Sequence, residues 1–140
     1  MILTSFIFLF FYTKMSSYVL LIVSKKKGRL KMEKQLTDKE KVNQIFKSLR
    51  QAGYAAEQNY TCCSTCGWSE IEDDYGDVEK VVFYHRQDAD SFKGKMLERP
   101  LYLAWAGDGD EIVRIIEENG MSAEWKGTEQ HRIAILPSSC

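Results

Sequence analysis

Apolar residues recur at helical spacing in the segment that follows Thr37. Thr37 and Glu40 have the spacing of a capping box, in which each residue satisfies a backbone amide of the other. Four apolar residues then share one helical face: Val42, Ile45, Phe46 and Leu49. Gly53 suits the left-handed conformation that commonly follows the last turn of a helix. The pattern therefore predicts a helix between Thr37 and Gly53.

A second segment with apolar residues at helical spacing follows Asp108. Asp108, Asp110 and Glu111 place acidic side chains where a helix N-terminus favours them. The apolar positions after them are Ile112, Val113, Ile115 and Ile116. Because Asn119-Gly120 is a stop signal, the pattern predicts a second helix that ends there.

Runs rich in β-branched and aromatic residues predict four strands, at residues 80–85, 101–106, 122–125 and 132–136. The remaining segments give weaker signals. Residues 54–60 are expected to be extended, residues 68–72 to form a helical turn, and residues 86–99 to be a polar connection. The predicted fold class is α+β: a single small domain with a mostly antiparallel four-stranded sheet and two main helices.

Residues 1–31 have a different pattern, with a nearly continuous apolar stretch from 2 to 23 and basic residues after it. One interpretation is a membrane anchor with a cytoplasmic domain, although Lys14 would lie near the centre of the bilayer. A secretory signal fits poorly, because no basic residue precedes the apolar block. We favour a third interpretation, in which the natural start is Met32 and the codons of Gly28-Arg29 belong to a ribosome-binding sequence. Residues 32–140 are then a single α+β domain.

Charge narrows the choice of partners. The formal net charge of −1 averages two unlike parts, since residues 1–31 hold six of the 19 basic residues and none of the 20 acidic ones. Residues 32–140 therefore carry about −7. An acidic domain repels phosphate backbones, so we expect no nucleic-acid partner. A membrane contact is expected only if residues 1–31 are an anchor, which leaves an unknown protein or small molecule as the partner.

Three of the four cysteines lie in one short run, Cys62, Cys63 and Cys66, followed by Gly67. In a cytoplasmic protein such a cluster is typical of metal binding or redox chemistry rather than of structural disulfides. Two thiolates two residues apart can hold one zinc ion, with the glycine allowing a tight turn behind them. A zinc site needs four ligands. We predict Cys63, Cys66 and His85, with Cys62 in reserve; His131 and Cys140 are the other available side chains. In the alternative, purely structural interpretation, two of the three cysteines are small buried hydrophobic residues.

A cysteine-dependent enzyme or thiol redox protein is the competing hypothesis. It uses Cys66 as the nucleophile, His85 as its base and Asp88 as the group that orients the base. A helix starting near Gly67 would place Cys66 at a helix N-terminus, which acidifies thiols. We rank this hypothesis below metal binding, because no β-α-β unit is predicted around the motif and acids at residues 70–74 lie nearby. Asp88 has a simpler alternative role, which is to satisfy backbone groups in the turn after the strand.

Three runs carry a resemblance to a known family: residues 59–67 around the cysteines, residues 84–88 with the sequence Tyr-His-Arg-Gln-Asp, and residues 121–127 with Arg132-Ile133 after them. Over residues 49–137 the chain resembles a mostly bacterial family known only as a domain of unknown function. The resemblance implies that the cysteine run and the His85 run belong to one module, and it implies no activity. We therefore expect an uncharacterised cytoplasmic binding or interaction module with a thiol-rich site able to hold one zinc ion.

Overall fold

The computed structural model describes residues 34–138, so the prediction for residues 1–31 lies outside the described residues. The helices are α1 (Asp38–Gln51), α2 (Ser64–Tyr75), α3 (Arg86–Ala89) and α4 (Gly109–Glu118). The strands are β1 (Ala55–Glu57), β2 (Val81–Phe83), β3 (Phe92–Lys93), β4 (Met96–Leu97), β5 (Leu101–Ala106), β6 (Ser122–Glu124) and β7 (Ile133–Leu136). Among residues 34–138, none of the helices has the length and apolar character needed to cross a bilayer.

The main sheet has five strands in the order β1-β2-β5-β7-β6. Strands β1 and β2 are parallel, with Ala55 opposite Val81, and every other neighbouring pair is antiparallel. The predicted α+β class is confirmed, but the predicted four-stranded sheet is wrong, because the sheet has five strands and is mixed, with one parallel pair beside the antiparallel ones. The additional strand, β1, is a three-residue edge strand whose two alanines give no β-branched or aromatic signal.

Helices α1 and α4 cover one face of this sheet. The capping box of α1 is confirmed: Thr37 Oγ1 accepts the Glu40 amide at 3.3 Å, and the Glu40 carboxylate accepts the Thr37 amide at 2.8 Å. Asp108 caps α4 by accepting the Glu111 amide at 3.2 Å. The apolar residues of both helices, apart from the half-buried Val113, are buried against the inner side chains of the central strands: Val82, Leu101, Leu103, Trp105, Ile133 and Ile135. This layer is the main hydrophobic core.

Helix α2 covers part of the opposite face, over β1, β2 and Ala104 of β5. It connects these parallel strands, so the cysteine run lies in a β-α-β unit that the sequence analysis did not predict. The helix is also longer than the predicted turn at residues 68–72. The apolar pattern of this helix in the sequence is weak, because the helix buries only Gly67 and Ile71. The small second core beneath it consists of Ala55, Ile71, Val81, Phe83 and Ala104.

Gly67 is the point of closest approach between α2 and the sheet. A Cβ atom at this position would lie 2.4 Å from Cε2 of the fully buried Phe83. Trp68 packs its ring edge-to-face on Phe83, with ring centroids 5.2 Å apart. Gly67 is an ordinary helical residue outside the left-handed region, so the predicted role of a turn glycine is wrong. Its function is to let the helix backbone rest on the Phe83 ring.

The predicted polar connection at residues 86–99 contains the short helix α3 and the hairpin formed by β3 and β4. The hairpin docks on the start of α1. There the buried Asp38 carboxylate accepts the Leu97 amide at 3.0 Å, and the Lys39 amide donates to the Lys95 carbonyl at 3.0 Å. The N-terminal turn of α1 thus fixes a segment that is distant along the chain.

We expect Gly67→Ala to lower the free energy of unfolding by about 1 to 2 kcal/mol, because the overpacking penalty exceeds the gain of about 1 kcal/mol in helix propensity. Urea denaturation with a matched slope measures the difference. The control is Ser69→Ala, an exposed position on the same helix, for which we expect a change within about 0.5 kcal/mol. A Gly67→Ala protein as stable as the wild type would contradict the packing role.

Candidate thiol site

The three cysteines meet at the N-terminus of α2. Cys63 is the N-cap residue in an extended conformation, Cys62 precedes it, and Cys66 lies in the first helical turn. The three sulfur atoms all lie within 4.8 Å of one another, and Cys62 Sγ is 3.8 Å from Cys63 Sγ. Cys62 and Cys66 are exposed and Cys63 is half-buried. The alternative that two of these thiols are buried hydrophobes is therefore wrong.

Backbone hydrogen bonds hold the segment before the cysteines against the end of β2. The Tyr60 amide donates to the Tyr84 carbonyl at 2.9 Å, and the Arg86 amide donates to the Thr61 carbonyl at 3.1 Å. Thr61 has a φ of +57°, a left-handed conformation that a β-branched residue rarely adopts, and its hydroxyl donates to the Cys63 carbonyl at 3.0 Å. Strained residues of this kind cluster at functional sites, which supports the cysteine segment as the candidate site.

The two thiols of the Cys-x-x-Cys pair differ in pKa, and the helix N-terminus contributes to the difference. The pKa of Cys63 is lowered, first by the backbone amide of Cys66 and then by the Cys66 thiol. That amide lies near the Cys63 sulfur without forming a full capping hydrogen bond in the thiol state. Since a thiolate is a stronger acceptor, deprotonation of Cys63 strengthens the contact.

The pKa of Cys66 is shifted in the opposite direction, upward. Its hydrogen bond to Cys63, followed by the one to Cys62, raises the pKa of Cys66 to about 11. The pair therefore favours one thiolate at Cys63 and one protonated thiol at Cys66. The acids at residues 70–74 are not among the main causes of these pKa shifts. One of these acids, Asp74, accepts a hydrogen bond from the Tyr60 hydroxyl at 2.6 Å.

His85 and Asp88 form a separate cluster. His85 Nε2 lies 3.1 Å from Asp88 Oδ2, and both side chains are about nine-tenths buried. His85 Nδ1 is buried without a hydrogen-bond partner. In the described part of the chain, the set of possible metal-ligand atoms lying within 4.8 Å of one another contains the three cysteines and not His85. The structure thus brings Cys62, Cys63 and Cys66 together and pairs His85 with Asp88.

The sequence analysis missed Arg132 as a partner in this second cluster. Its guanidinium donates to both carboxylate oxygens of Asp88, across 44 positions of sequence, and to the Tyr102 carbonyl at 2.9 Å. No local spacing predicts such a pair. Asp88 therefore binds side chains rather than the backbone of its own turn. Of the other predicted ligands, His131 is exposed and contacts Thr128, and Cys140 lies outside the described residues.

Comparison with known families places the whole domain in one uncharacterised family. Residues 21–139 match the model of the family described as Domain of unknown function (DUF6891), and the chain belongs to this family. The matched range begins earlier than the resemblance drawn over residues 49–137. No curated protein and no solved structure matches the chain significantly. The functional argument therefore rests on the site itself.

We expect Cys63 to be alkylated first by iodoacetamide at neutral pH, because the thiolate is the nucleophile and the pKa of Cys63 is lowered. Its rate should rise at lower pH than that of Cys66, whose pKa is raised to about 11. Peptide mass spectrometry over time measures the three rates separately. The unfolded protein is the control, in which the three rates should converge. Faster labelling of the more exposed Cys62 or Cys66 would show that exposure, and not the helix N-terminus, determines reactivity.

Proposed function

We propose that this protein is a thiol-disulfide exchange module in which Cys63 attacks and Cys66 resolves. The observation that carries the proposal is the position of the Cys-x-x-Cys pair at the start of the helix of a β-α-β unit. Cys63 is the N-cap residue, and the Cys66 sulfur lies within 4.8 Å of it. A dithiol placed this way combines an activated first thiol with a nearby second one.

The exchange needs no reagent beyond the partner's disulfide. The Cys63 thiolate attacks one partner sulfur, so that a bond forms between them, the partner's S–S bond breaks, and the released partner thiolate takes up a proton. Cys66 then loses its proton, and its sulfur attacks Cys63 Sγ. The second partner sulfur leaves and is protonated. In total, two electrons pass from the Cys63 and Cys66 pair to the partner, whose disulfide becomes two thiols.

Two findings lead us to rank thiol exchange above metal binding, whereas the sequence alone favoured metal binding. The β-α-β unit expected to be absent is present, and the thiols differ in pKa in the sense that exchange requires. These shifts favour Cys63 over Cys66 as the attacking thiol. His85 and Asp88 have no role in this scheme, since the helix N-terminus replaces a general base. In the cytoplasm, which we propose as its location, the pair would be held reduced.

A disulfide-reduction assay tests the proposal, with insulin as the substrate and dithiothreitol as the electron source. We expect the wild-type chain to accelerate the reduction and Cys63→Ser to abolish the effect. Incubated with insulin in the absence of dithiothreitol, Cys66→Ser should accumulate a mixed disulfide with the substrate, because the first step proceeds and the resolving thiol is missing. Non-reducing mass spectrometry detects this species.

Cys62→Ser is the matched control, since it removes a thiol of the same cluster that the scheme does not use. We expect it to retain the wild-type rate, with circular dichroism confirming that each variant is folded. A wild-type chain without any effect on the reduction would overturn the proposal. Equal losses in Cys62→Ser and Cys63→Ser would also contradict it and would favour a function of all three sulfurs together.

Zinc binding is a second candidate function, favoured by the spacing of the sulfurs. A tetrahedral zinc ion with bonds of about 2.3 Å places its sulfur ligands about 3.8 Å apart. The separation between Cys62 Sγ and Cys63 Sγ is 3.8 Å, and all three sulfurs lie within 4.8 Å. Cys62, Cys63 and Cys66 would supply three ligands and leave one position open. His85 as the fourth ligand stays a prediction, and its ring would first have to exchange its contact with Asp88.

We expect native mass spectrometry after addition of one equivalent of zinc to distinguish the two functions. If the cluster is a metal site, the mass increases by one zinc ion, and Cys62→Ser loses the ion as Cys63→Ser does. His85→Ala shows whether the histidine takes part. An unchanged mass for the wild-type chain would remove the metal function and leave thiol exchange as the single candidate.

A further inference from the structure

The sulfur atoms of Cys62, Cys63 and Cys66 form a compact triangle of soft donor atoms. Cys62 Sγ is 3.8 Å from Cys63 Sγ, and all three sulfurs lie within 4.8 Å of one another. Among residues 34–138, the set of possible ligand atoms this close together contains these sulfurs and no nitrogen or oxygen atom. Thiolates are soft ligands, which favour copper(I) and zinc over the hard ions Mg²⁺ and Ca²⁺.

The number of donors separates copper(I) from zinc. Structural zinc sites are almost always four-coordinate, and the predicted fourth ligand, His85, is outside the sulfur set, with its Nε2 atom 3.1 Å from Asp88 Oδ2. Copper(I) is a soft ion that three thiolates in one plane can satisfy without a fourth ligand. A trigonal ion with metal–sulfur bonds of about 2.3 Å separates its sulfurs by about 4.0 Å. This distance is close to the 3.8 Å between the Cys62 and Cys63 sulfurs.

The surroundings of the triangle suit an ion that enters from solvent. Cys62 and Cys66 are exposed and Cys63 is half-buried, so the sulfurs are accessible. All three lie in one short run of sequence, so a bound ion would join no distant parts of the fold, as a structural ion commonly does. The first turn of α2 holds no acidic side chain, in contrast to the first turns of α1 and α4. The positive end of the α2 dipole therefore remains available to stabilise thiolates.

We propose that Cys62, Cys63 and Cys66 bind one copper(I) ion through their three sulfur atoms. Binding releases the protons of the thiols that ionise and changes no oxidation state, because the ion enters as copper(I). The proposal does not rest on thiol exchange, and it gives Cys62 a function that exchange does not use. Copper(I) and a partner disulfide would compete for Cys63, so the copper-loaded chain should not attack a disulfide.

Anaerobic titration of the reduced full chain with the coloured copper(I)–bicinchoninate complex tests the proposal. We expect the chain to remove one equivalent of copper(I) from the dye and to retain it when zinc is added in excess. X-ray absorption of the loaded chain should show three sulfur neighbours and no nitrogen. No uptake of copper(I), a site with two sulfurs only, a nitrogen neighbour, or displacement by zinc would each overturn the proposal.

Single substitutions separate a three-sulfur site from a Cys-x-x-Cys site with two sulfurs. We expect Cys62→Ser to lower the copper(I) affinity more than tenfold, since loss of even an outer-shell partner of a metal site costs about 10- to 100-fold. Cys140→Ser is the matched control, because it removes a thiol far along the chain from the cluster, and it should leave the affinity unchanged. Circular dichroism confirms that each variant is folded.

An unchanged affinity in Cys62→Ser, or an equal loss in Cys140→Ser, would contradict the three-sulfur site. The insulin assay, run without copper, reports on exchange alone. A chain that binds copper(I) and does not reduce insulin would therefore support the copper site and overturn exchange, and the opposite pair of results would overturn the copper site alone.

Discussion

The contact between the backbone of α2 at Gly67 and the ring of Phe83 is the constraint on which the thiol site depends. Phe83 is fully buried in β2, and a Cβ atom at Gly67 would lie 2.4 Å from its ring. This contact sets the height of the helix above the sheet. The helix N-terminus, and with it Cys63, then lies beside the end of β2, where the Arg86 amide binds the Thr61 carbonyl.

The two faces of the sheet are covered unequally, and the position of the thiol site follows from this. Helices α1 and α4 bury one face with strongly amphipathic stripes. On the other face α2 covers β1 and β2 and buries only two of its own residues. A helix with so little buried surface is positioned by close packing rather than by burial alone. The rest of that face, around Tyr102 and Ala134, is not covered by α2, and Arg132 lies over the Tyr102 ring.

The sequence predicted the elements that carry their own signals and missed those defined by tertiary contact. Caps and apolar stripes identify α1 and α4 because both features are local. The extended conformation expected at residues 54–60 is found in β1, but the parallel pairing with β2 is not predictable from Ala55 and Ala56, because it depends on the neighbouring strand. The clustering of Cys62, Cys63 and Cys66 follows from their spacing. The pairing of Asp88 with Arg132 joins residues 44 positions apart and has no local signal.

The most direct test of the activated dithiol is a titration of the thiolate absorbance in a chain carrying both Cys62→Ser and Cys140→Ser, which retains only the two thiols of the pair. Cys63 and Cys66 interact, so the transitions belong to the pair as a whole. Two transitions are expected, one below the ordinary pKa of a cysteine and the other above it, because Cys63, the largest cause of the raised pKa of Cys66, is still present. Two thiols that titrate together at the ordinary value would contradict the central claim, because the helix N-terminus would then have no effect on Cys63.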